Sequence, residues 1–385
     1  MSFGFHEYPF KDFMTQNLRE AGIIEPTEIQ KSVFDDILAG KDVIGKARTG
    51  TGKTLAYLLP MIQQIDPNKK ELQMLVMAPS RELSLQIQRE AEKVVQNTGI
   101  LVQSIVEGMD LNRQLDKLKD KPQLIIATPG RLMHIIGLKK IKMHGVKTIA
   151  LDEVDQMLEQ GLAEKVLGVV KATLKDRQLL SFSATLSKEA KELLLKLMNT
   201  PSIIMLDENK PVPKGIQHQY IVTKAVKKTE TLEELLRVIK PSKALVFINR
   251  NENVERFVKE LKSMGFAVDG IQTRTKNQDR HSMLTAFNKG KLKVLVTTDL
   301  FTRGMDFKDV THIFNMDLPR NNIDYLHRAG RTGRMEKHGM VINIVRDNEK
   351  FIMYKMMKQL HIDVSAITII NGKIVPVEKI VRKNK

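Results

Sequence analysis

The sequence predicts an α/β protein made of two domains, each with a parallel sheet. Short apolar runs alternate with helix-period segments along the whole chain, the pattern of βαβ units. Thirteen such runs can be counted, too many for one comfortable open sheet. The segment DENKPVPKG at 207–215 breaks the alternation with two prolines, a glycine and mixed charge. The 385 residues then divide into 1–207, a linker at 208–215, a second domain at 216–370 and a short basic tail at 371–385. Both domains have a usual size for the class.

The expected strands of the first half are Asp42–Gly45, Met74–Ala78, Leu101–Val106, Leu124–Ala127, Thr148–Leu151, Leu179–Phe182 and Ser202–Leu206. Those of the second half are Gln219–Thr223, Ala244–Ile248, Phe266–Ile271, Val294–Val296, His312–Asn315 and Met340–Val345. Hydrophobic residues make up 42% of the chain and charged residues 28%, which excludes a mainly disordered state. With no cysteine and no apolar run of about 18 residues, neither a disulfide scaffold nor a membrane span is expected. The start MSFGFHEYPFKDF lacks a basic n-region and an apolar h-region, so the expected location is cytoplasmic. Lys and Arg number 62 against 45 Asp and Glu, a net charge of +17. That excess points to a polyanionic partner, nucleic acid before membrane. No tryptophan and 5% aromatic residues argue against binding by base stacking.

The first expected strand runs into Ala47-Arg48-Thr49-Gly50-Thr51-Gly52-Lys53-Thr54, and a helical pattern follows from Leu55 to Ile65. This is a phosphate-binding loop in its required strand–loop–helix context. Glycines let backbone N–H groups curl around phosphate oxygens, and the helix N-terminus adds positive potential. Lys53 would reach the β- and γ-phosphates, and the Thr54 hydroxyl would ligate Mg²⁺. Ala47 replaces the first glycine of the general pattern.

The strand KTIAL at 147–151 runs into Asp152-Glu153-Val154-Asp155. Beside a phosphate loop, Asp152 is assigned to the metal and Glu153 to activation of the attacking water. Acids that merely complement a helix N-terminus are the plainer explanation. Further polar clusters follow other strands: Pro79-Ser80-Arg81-Glu82-Leu83, Thr128-Pro129-Gly130-Arg131, Ser183-Ala184-Thr185, Asn249-Arg250 and Thr298-Asp299. Each alone reads as a turn or helix cap. Together they line the carboxyl ends of parallel strands, where such sheets bind ligands.

Tyr325 to Arg334 reads YLHRAGRTGR, with Arg328, Arg331 and Arg334 at spacing three. The spacing predicts a compact positive surface. Its guanidinium groups would serve the γ-phosphate, RNA contact or plain solvation. His327 alone reads as a structural residue, and none of the nine histidines has zinc-ligand spacing.

Taken in order, PTEIQ at 26–30, ARTGTGKT, PSREL, TPGR, DEVD, SAT, TTDLFTRGMD and HRAGRTGR resemble the DEAD-box family of ATP-dependent RNA helicases. The resemblance spans about Phe5 to Val345 and is closest to short, core-only bacterial members. It implies two RecA-like domains joined by a flexible linker. It also implies ATP as cofactor, with Gln30 and nearby Thr27 reading adenine, Phe5 packing near the base and Asp306 on the ribose. Arg331 and Arg334 would be the finger residues. Pro79, Arg81, Gly108, Thr128, Gly130 and Arg131 would contact RNA from the first domain. Asn249, Arg280 and Thr298 would do so from the second. Ser183, Thr185, Asp155, His327 and Arg328 would couple nucleotide state to the two domains. ATP and RNA would each favour a closed form and raise the other's affinity.

Several positions depart from the family pattern. Val154 stands for Ala, Glu107 for the first glycine of Gly-Gly, Gln272-Thr273 for His-Gly, Asn277 for Gln and Thr302 for Ala. These leave the ATP chemistry intact and bear on RNA affinity. The expected protein is therefore a monomeric RNA helicase acting on structured or ribosomal RNA, in ribosome assembly, with no membrane and no specific DNA partner. The alternatives are a DNA motor, an ATP-switched RNA clamp or scaffold with little unwinding, and a non-catalytic RNA-binding protein.

Overall fold

The computed structural model describes residues 4–48, 50–206, 215–272, 275, 277–299, 307–333 and 338–377, the side chains of 277, 278 and 281 excepted. Of the expected linker 208–215, residues 208–214 thus lie outside the described residues. The chain divides into two compact units, Met1–Asp207 and Glu208–Lys385.

The first unit holds strands β1 (Val43–Lys46), β2 (Met74–Met77), β3 (Val102–Ile105), β4 (Leu124–Ala127), β5 (Thr148–Asp152), β6 (Gln178–Ser183) and β7 (Ser202–Met205). Its helices are α1 (Asp12–Glu20), α2 (Glu28–Leu38), α3 (Lys53–Gln63), α4 (Arg81–Val94), α5 (Leu111–Leu118), α6 (Pro129–Gly137), α7 (Val154–Glu159), α8 (Ala163–Lys171) and α9 (Lys188–Leu197). The sheet order is β3-β4-β2-β5-β6-β1-β7, parallel throughout. Central strands are buried on both faces and so read as unbroken apolar runs. In β2, Met74 and Val76 face the core layer of α1–α4, while Leu75 and Met77 face that of α6–α9. Helix starts are fixed by side-chain caps. Ser80 Oγ accepts from Leu83 N at 3.2 Å, and Asp110 Oδ1 accepts from Arg113 N at 2.8 Å.

The second unit holds β8 (Ile216–Val222), β9 (Ala244–Phe247), β10 (Val268–Gly270), β11 (Val294–Thr297), β12 (His312–Asn315), β13 (Gly339–Val345), β14 (Ser365–Ile370) and β15 (Lys373–Pro376). Its helices are α10 (Lys228–Ile239), α11 (Val254–Ser263), α12 (Asn277–Asn288), α13 (Asn322–Ala329) and α14 (Lys350–Gln359). The order is β10-β11-β9-β12-β13-β8-β14-β15. Adding seven to each strand number of the first sheet reproduces the first seven positions of the second. The two units therefore share one topology, although no repeat is visible in the sequence.

All thirteen expected strands form, with no end moved by more than three residues. Two more strands, β14 and β15, form an antiparallel hairpin. The expected tail at 371–385 is thus corrected in its first part: Asn371 and Gly372 make the hairpin turn at positive φ, and 373–376 pair with β14. Ile367, 3% exposed, anchors β14 in the core, and Ser365 and Ala366 pair with β8.

Candidate active site and RNA interface

β1 delivers the chain into the loop 47–52, and α3 begins at Lys53. Gly50 (φ 84°) and Gly52 (φ 91°) take left-handed conformations that side chains resist. At Gly52 an added Cβ would lie 2.6 Å from Gln30 Nε2 and 2.9 Å from Thr27 Oγ1. The PTEIQ segment therefore packs directly on the phosphate loop. Gln30 donates to Gly52 O at 3.0 Å and accepts from Thr27 N at 2.9 Å, which fixes its amide while leaving further donor and acceptor capacity. Thr51 Oγ1 donates to Arg48 O at 2.7 Å. Lys53, 7% exposed, folds its ammonium back onto Ala47 O (2.9 Å) and Arg48 O (3.3 Å). Thr49 lies outside the described residues. Phe5 is 3% exposed and turned into the core, its ring 6.5 Å from that of Phe34. It is a wall residue rather than an open stacking face.

β5 ends at Asp152, buried between neighbouring strands. Burial first, and the charge of Glu153 second, push its carboxyl up to about 7, against the pull of Lys53 and of a hydrogen bond from Tyr57. Tyr57 OH donates to Asp152 Oδ2 at 2.9 Å. Glu153 sits at φ 55°, ψ 52°, a left-handed corner that turns its carboxylate toward the loop. Its Oε1 lies 3.4 Å from Lys53 Nζ, and its Oε2 accepts from Ser183 Oγ at 3.3 Å. Asp155 accepts from Thr185 Oγ1 (2.7 Å), Ser183 Oγ (3.5 Å) and Ser187 N (2.9 Å). The expected catalytic and coupling residues of the first unit thus form one bonded group. Val154 fills the core beneath it.

A second group gathers on the same strand ends. Arg81 Nη1 donates to Gly108 O at 3.1 Å, and Arg131 Nη2 donates to Met109 O at 3.3 Å. Thr128 donates to the Glu107 carboxylate, which also packs against Gly130. Glu107 is therefore engaged with the Thr128 loop. Pro79 is buried at the end of β2. Arg81 and Gly108 open onto a cleft of about 630 Å³.

In the second unit the arginine segment departs from expectation. Arg328 is fully buried, not part of a positive surface. It binds Asp299 through two bonds of 2.6 and 2.7 Å, Asn315 Oδ1 at 3.0 Å, Asp317 O at 2.7 Å and Asn249 Oδ1 at 2.8 Å. Its guanidinium also stacks 4.9 Å over the Phe247 ring. One side chain thus ties together the ends of β9, β11 and β12 and fixes Asn249. Arg331 is 5% exposed and donates from Nε to His327 O at 3.2 Å. The expected compact positive surface is corrected: apolar packing and the acceptors at strand ends draw two of its arginines inward. Arg334 and Asp306 lie outside the described residues, as do Thr273 and Thr302. Thr298 and His327 are buried, and Arg280 Nη2 donates to Thr275 O at 3.4 Å. The Gln272 amide donates to Glu255. Sequence reasoning missed Tyr57, Asn315 and Asp317, and it placed Asp299 at a strand end without its pairing to Arg328. For Tyr57 the available signal was a single hydroxyl in the apolar face one turn after Lys53.

A family model described as DEAD/DEAH box helicase matches residues 27–193, and one described as helicase conserved C-terminal domain matches 227–336. The DEAD-box ATP-dependent RNA helicase CshC of Bacillus cereus is 38% identical over 352 residues, covering 91% of this chain and 90% of the relative. The chain belongs to the DEAD-box family. This DEAD-box protein is also 35% identical over 364 residues to the probable ATP-dependent RNA helicase YfmL of Bacillus subtilis, covering 94% and 96% of the two. Among solved structures, S. cerevisiae Dbp5 bound to RNA and ADP BeF3 is similar at a TM-score of 0.88 and 28% identity, over 99% of each chain. Mss116p bound to ssRNA and AMP-PNP gives 0.85 at 26% identity, over 95% of this chain and 79% of that one. The DEAD-box protein is an ATP-hydrolysing RNA helicase with two RecA-like, parallel-sheet domains.

Proposed function

We propose a division of labour in which the first unit binds and cleaves ATP while the second supplies guanidinium groups and RNA contacts. The observation that carries this is the approach of the Glu153 carboxylate to Lys53 Nζ at 3.4 Å, with Asp152 beside them. The glycines at 50 and 52 and the α3 N-terminus cradle the β- and γ-phosphates. Thr27 and Gln30 read adenine, with Phe5 behind the base. Glu153 orients the attacking water and takes its proton. Arg331 and Arg334 meet the charge that develops on the γ-phosphate, and Asp306 holds the ribose.

Mg²⁺ fits the donors present. The buried Asp152 carboxyl beside Glu153 lacks full charge compensation, and the Thr54 hydroxyl stands in the first turn of α3. Among the described residues no protein cluster could hold a metal alone, which suits an ion that shares its ligands with phosphate. Held by Thr54 and Asp152, Mg²⁺ would offset the negative charge of the phosphates.

Pro79, Arg81, Gly108, Thr128, Gly130 and Arg131 carry RNA on the first unit, and Asn249, Arg280 and Thr298 on the second, through phosphate and 2′-OH. Asp155, Ser183, Thr185 and His327 relay nucleotide state, while Arg328 acts by positioning Asn249. We assign structured RNA, including ribosomal precursors, as substrate, with a monomer working in the cytoplasm. Among the described residues no helix is long and apolar enough to cross a membrane. A clamp that unwinds little is the second reading, because the Gln272 amide and the Glu107 carboxylate are both engaged internally.

The test is ATP turnover with and without RNA, beside release of a short duplex. Lys53→Ala and Glu153→Gln abolish turnover, with nucleotide binding kept in the second. Arg331→Ala lowers turnover by about 10³-fold. Wild-type rates in Glu153→Gln overturn the assignment, and turnover without duplex release selects the clamp.

A further inference from the structure

The motif groups of the first unit all stand at the carboxyl ends of its strands. The opposite end of the same sheet carries a different signal. The loops that enter β2, β4 and β5, adjacent strands in the sheet, enclose a pocket of about 410 Å³. Lys70 comes from the first loop, Lys119 and Lys121 from the second, and Lys140 and Lys142 from the third. Among the described residues Glu71 is the single acid of this lining, and Lys119 alone of the five lysines is in an ion pair, with Asp116 at 2.8 Å. All five lysines are exposed, so salt screens their mutual repulsion while their fields add toward an approaching polyanion.

Two lysines of this region can be replaced without strain. Lys121 (φ 55°) and Lys139 (φ 54°) follow α5 and α6 in the left-handed region. Helix exits of this kind favour glycine, because a Cβ crowds the following carbonyl. At both exits the chain carries a lysine despite that strain, as it does at Lys240 (φ 50°) after α10; Lys121 lines the pocket, and Lys139 precedes its Lys140.

We propose that this lysine-rich pocket is a second RNA-contact surface, which holds the phosphate backbone of a folded RNA arm extending beyond the motif end. The chemistry favours RNA backbone. Ammonium groups on long stems bind phosphate as point charges without reading sequence. The lining contains no Phe, Tyr or Trp to stack a base. Four-residue strands such as β2 and β4 span about 13 Å, a distance an RNA helix readily bridges. The inference goes beyond the roles proposed above and needs only the RNA binding that the family supplies.

The experiment compares two RNAs, a short single strand and the same strand joined to a stem-loop, over a range of salt. Lys121→Gly with Lys139→Gly removes two charges while relieving the backbone, so this variant melts at or above the wild-type temperature. Adding Lys70→Gln, Lys140→Gln and Lys142→Gln removes three more. Expected for the five-site variant is about tenfold or greater loss of affinity for the stem-bearing RNA, with a log–log salt slope shallower by about 2–4 units. Affinity for the short strand and turnover at saturating RNA stay unchanged. Equal losses for both RNAs overturn the proposal, since the effect is then general charge. Unchanged binding of both RNAs in a folded variant overturns it as well, and leaves the surface to an acidic protein partner.

Discussion

Glu153 and Gly52 occupy the same unusual region of backbone space for different reasons. Glu153 is held there by its neighbours: its N–H bonds Phe182 O at 2.8 Å, and its carboxylate meets Lys53 and Ser183. Gly52 is there because no side chain fits. Gly52→Ala places a methyl against Gln30 and Thr27 at positive φ. It is expected to destabilise by about 1–2 kcal/mol and to weaken ATP binding, read by denaturant unfolding and nucleotide titration. Arg328→Lys keeps the charge but loses the bidentate fork and the stacking on Phe247. About 1–3 kcal/mol of stability should be lost from the second unit, since one ammonium cannot reach Asp299, Asn315, Asp317 and Asn249 together. A wild-type unfolding midpoint rejects that role. The residues of the phosphate loop and of DEVD were legible in the sequence because phosphate chemistry needs those types at those spacings. The roles of Asp299, Asn315 and Asp317 as partners of Arg328 were not, because nothing local links them to it. The arginine spacing misled for the same reason: spacing gives a helix face, and only the tertiary neighbours decide whether that face is wet.

Strand existence was legible because buried parallel strands are continuous apolar runs with turn residues behind them. β14 escaped because it is buried at one residue alone, Ile367, with Ser365 and Ile370 exposed at its ends, so it carries no buried apolar run. The shared topology supplies what local pattern lacked, since β14 is the counterpart of β7. β14 also covers the flank of β8, and β15 in turn covers β14. Ile367→Ala opens that seam and is expected to cost about 2–4 kcal/mol. Hydrogen exchange should then rise first along β8 and β14. Protection unchanged in β8 would show that the hairpin is dispensable.

Acid sensitivity belongs to the whole molecule, and the second unit should set it. Burial pulls His218 down to about 4, with its Nδ1 2.7 Å from Tyr325 OH. His312 is likewise pulled down to about 4 by burial. Each stays neutral in the fold and gains a proton more readily when unfolded, so the unfolded state binds more protons between pH 6.5 and 4. Stability is full above about 6.5 and falls as pH drops toward 4, by about 2–3 kcal/mol at pH 4.5 for His218. Unfolding midpoints measured at pH 7 and 4.5 should differ by less in His218→Gln. An equal difference removes His218 from the account.

The order of β8 among its neighbours also has a consequence in time. β8 opens the second unit, yet its partners are β13 and β14, which begin only at Gly339 and Ser365. At a translation speed of about 5–20 residues per second, β8 emerges roughly 6–25 s before β13 has been made. Throughout that interval its edges are open to any passing strand. The nascent chain is thus open to mispairing at β8, as it is earlier at β1, which waits for β6 and β7, and a holdase chaperone that shields extended segments would act at these two strands.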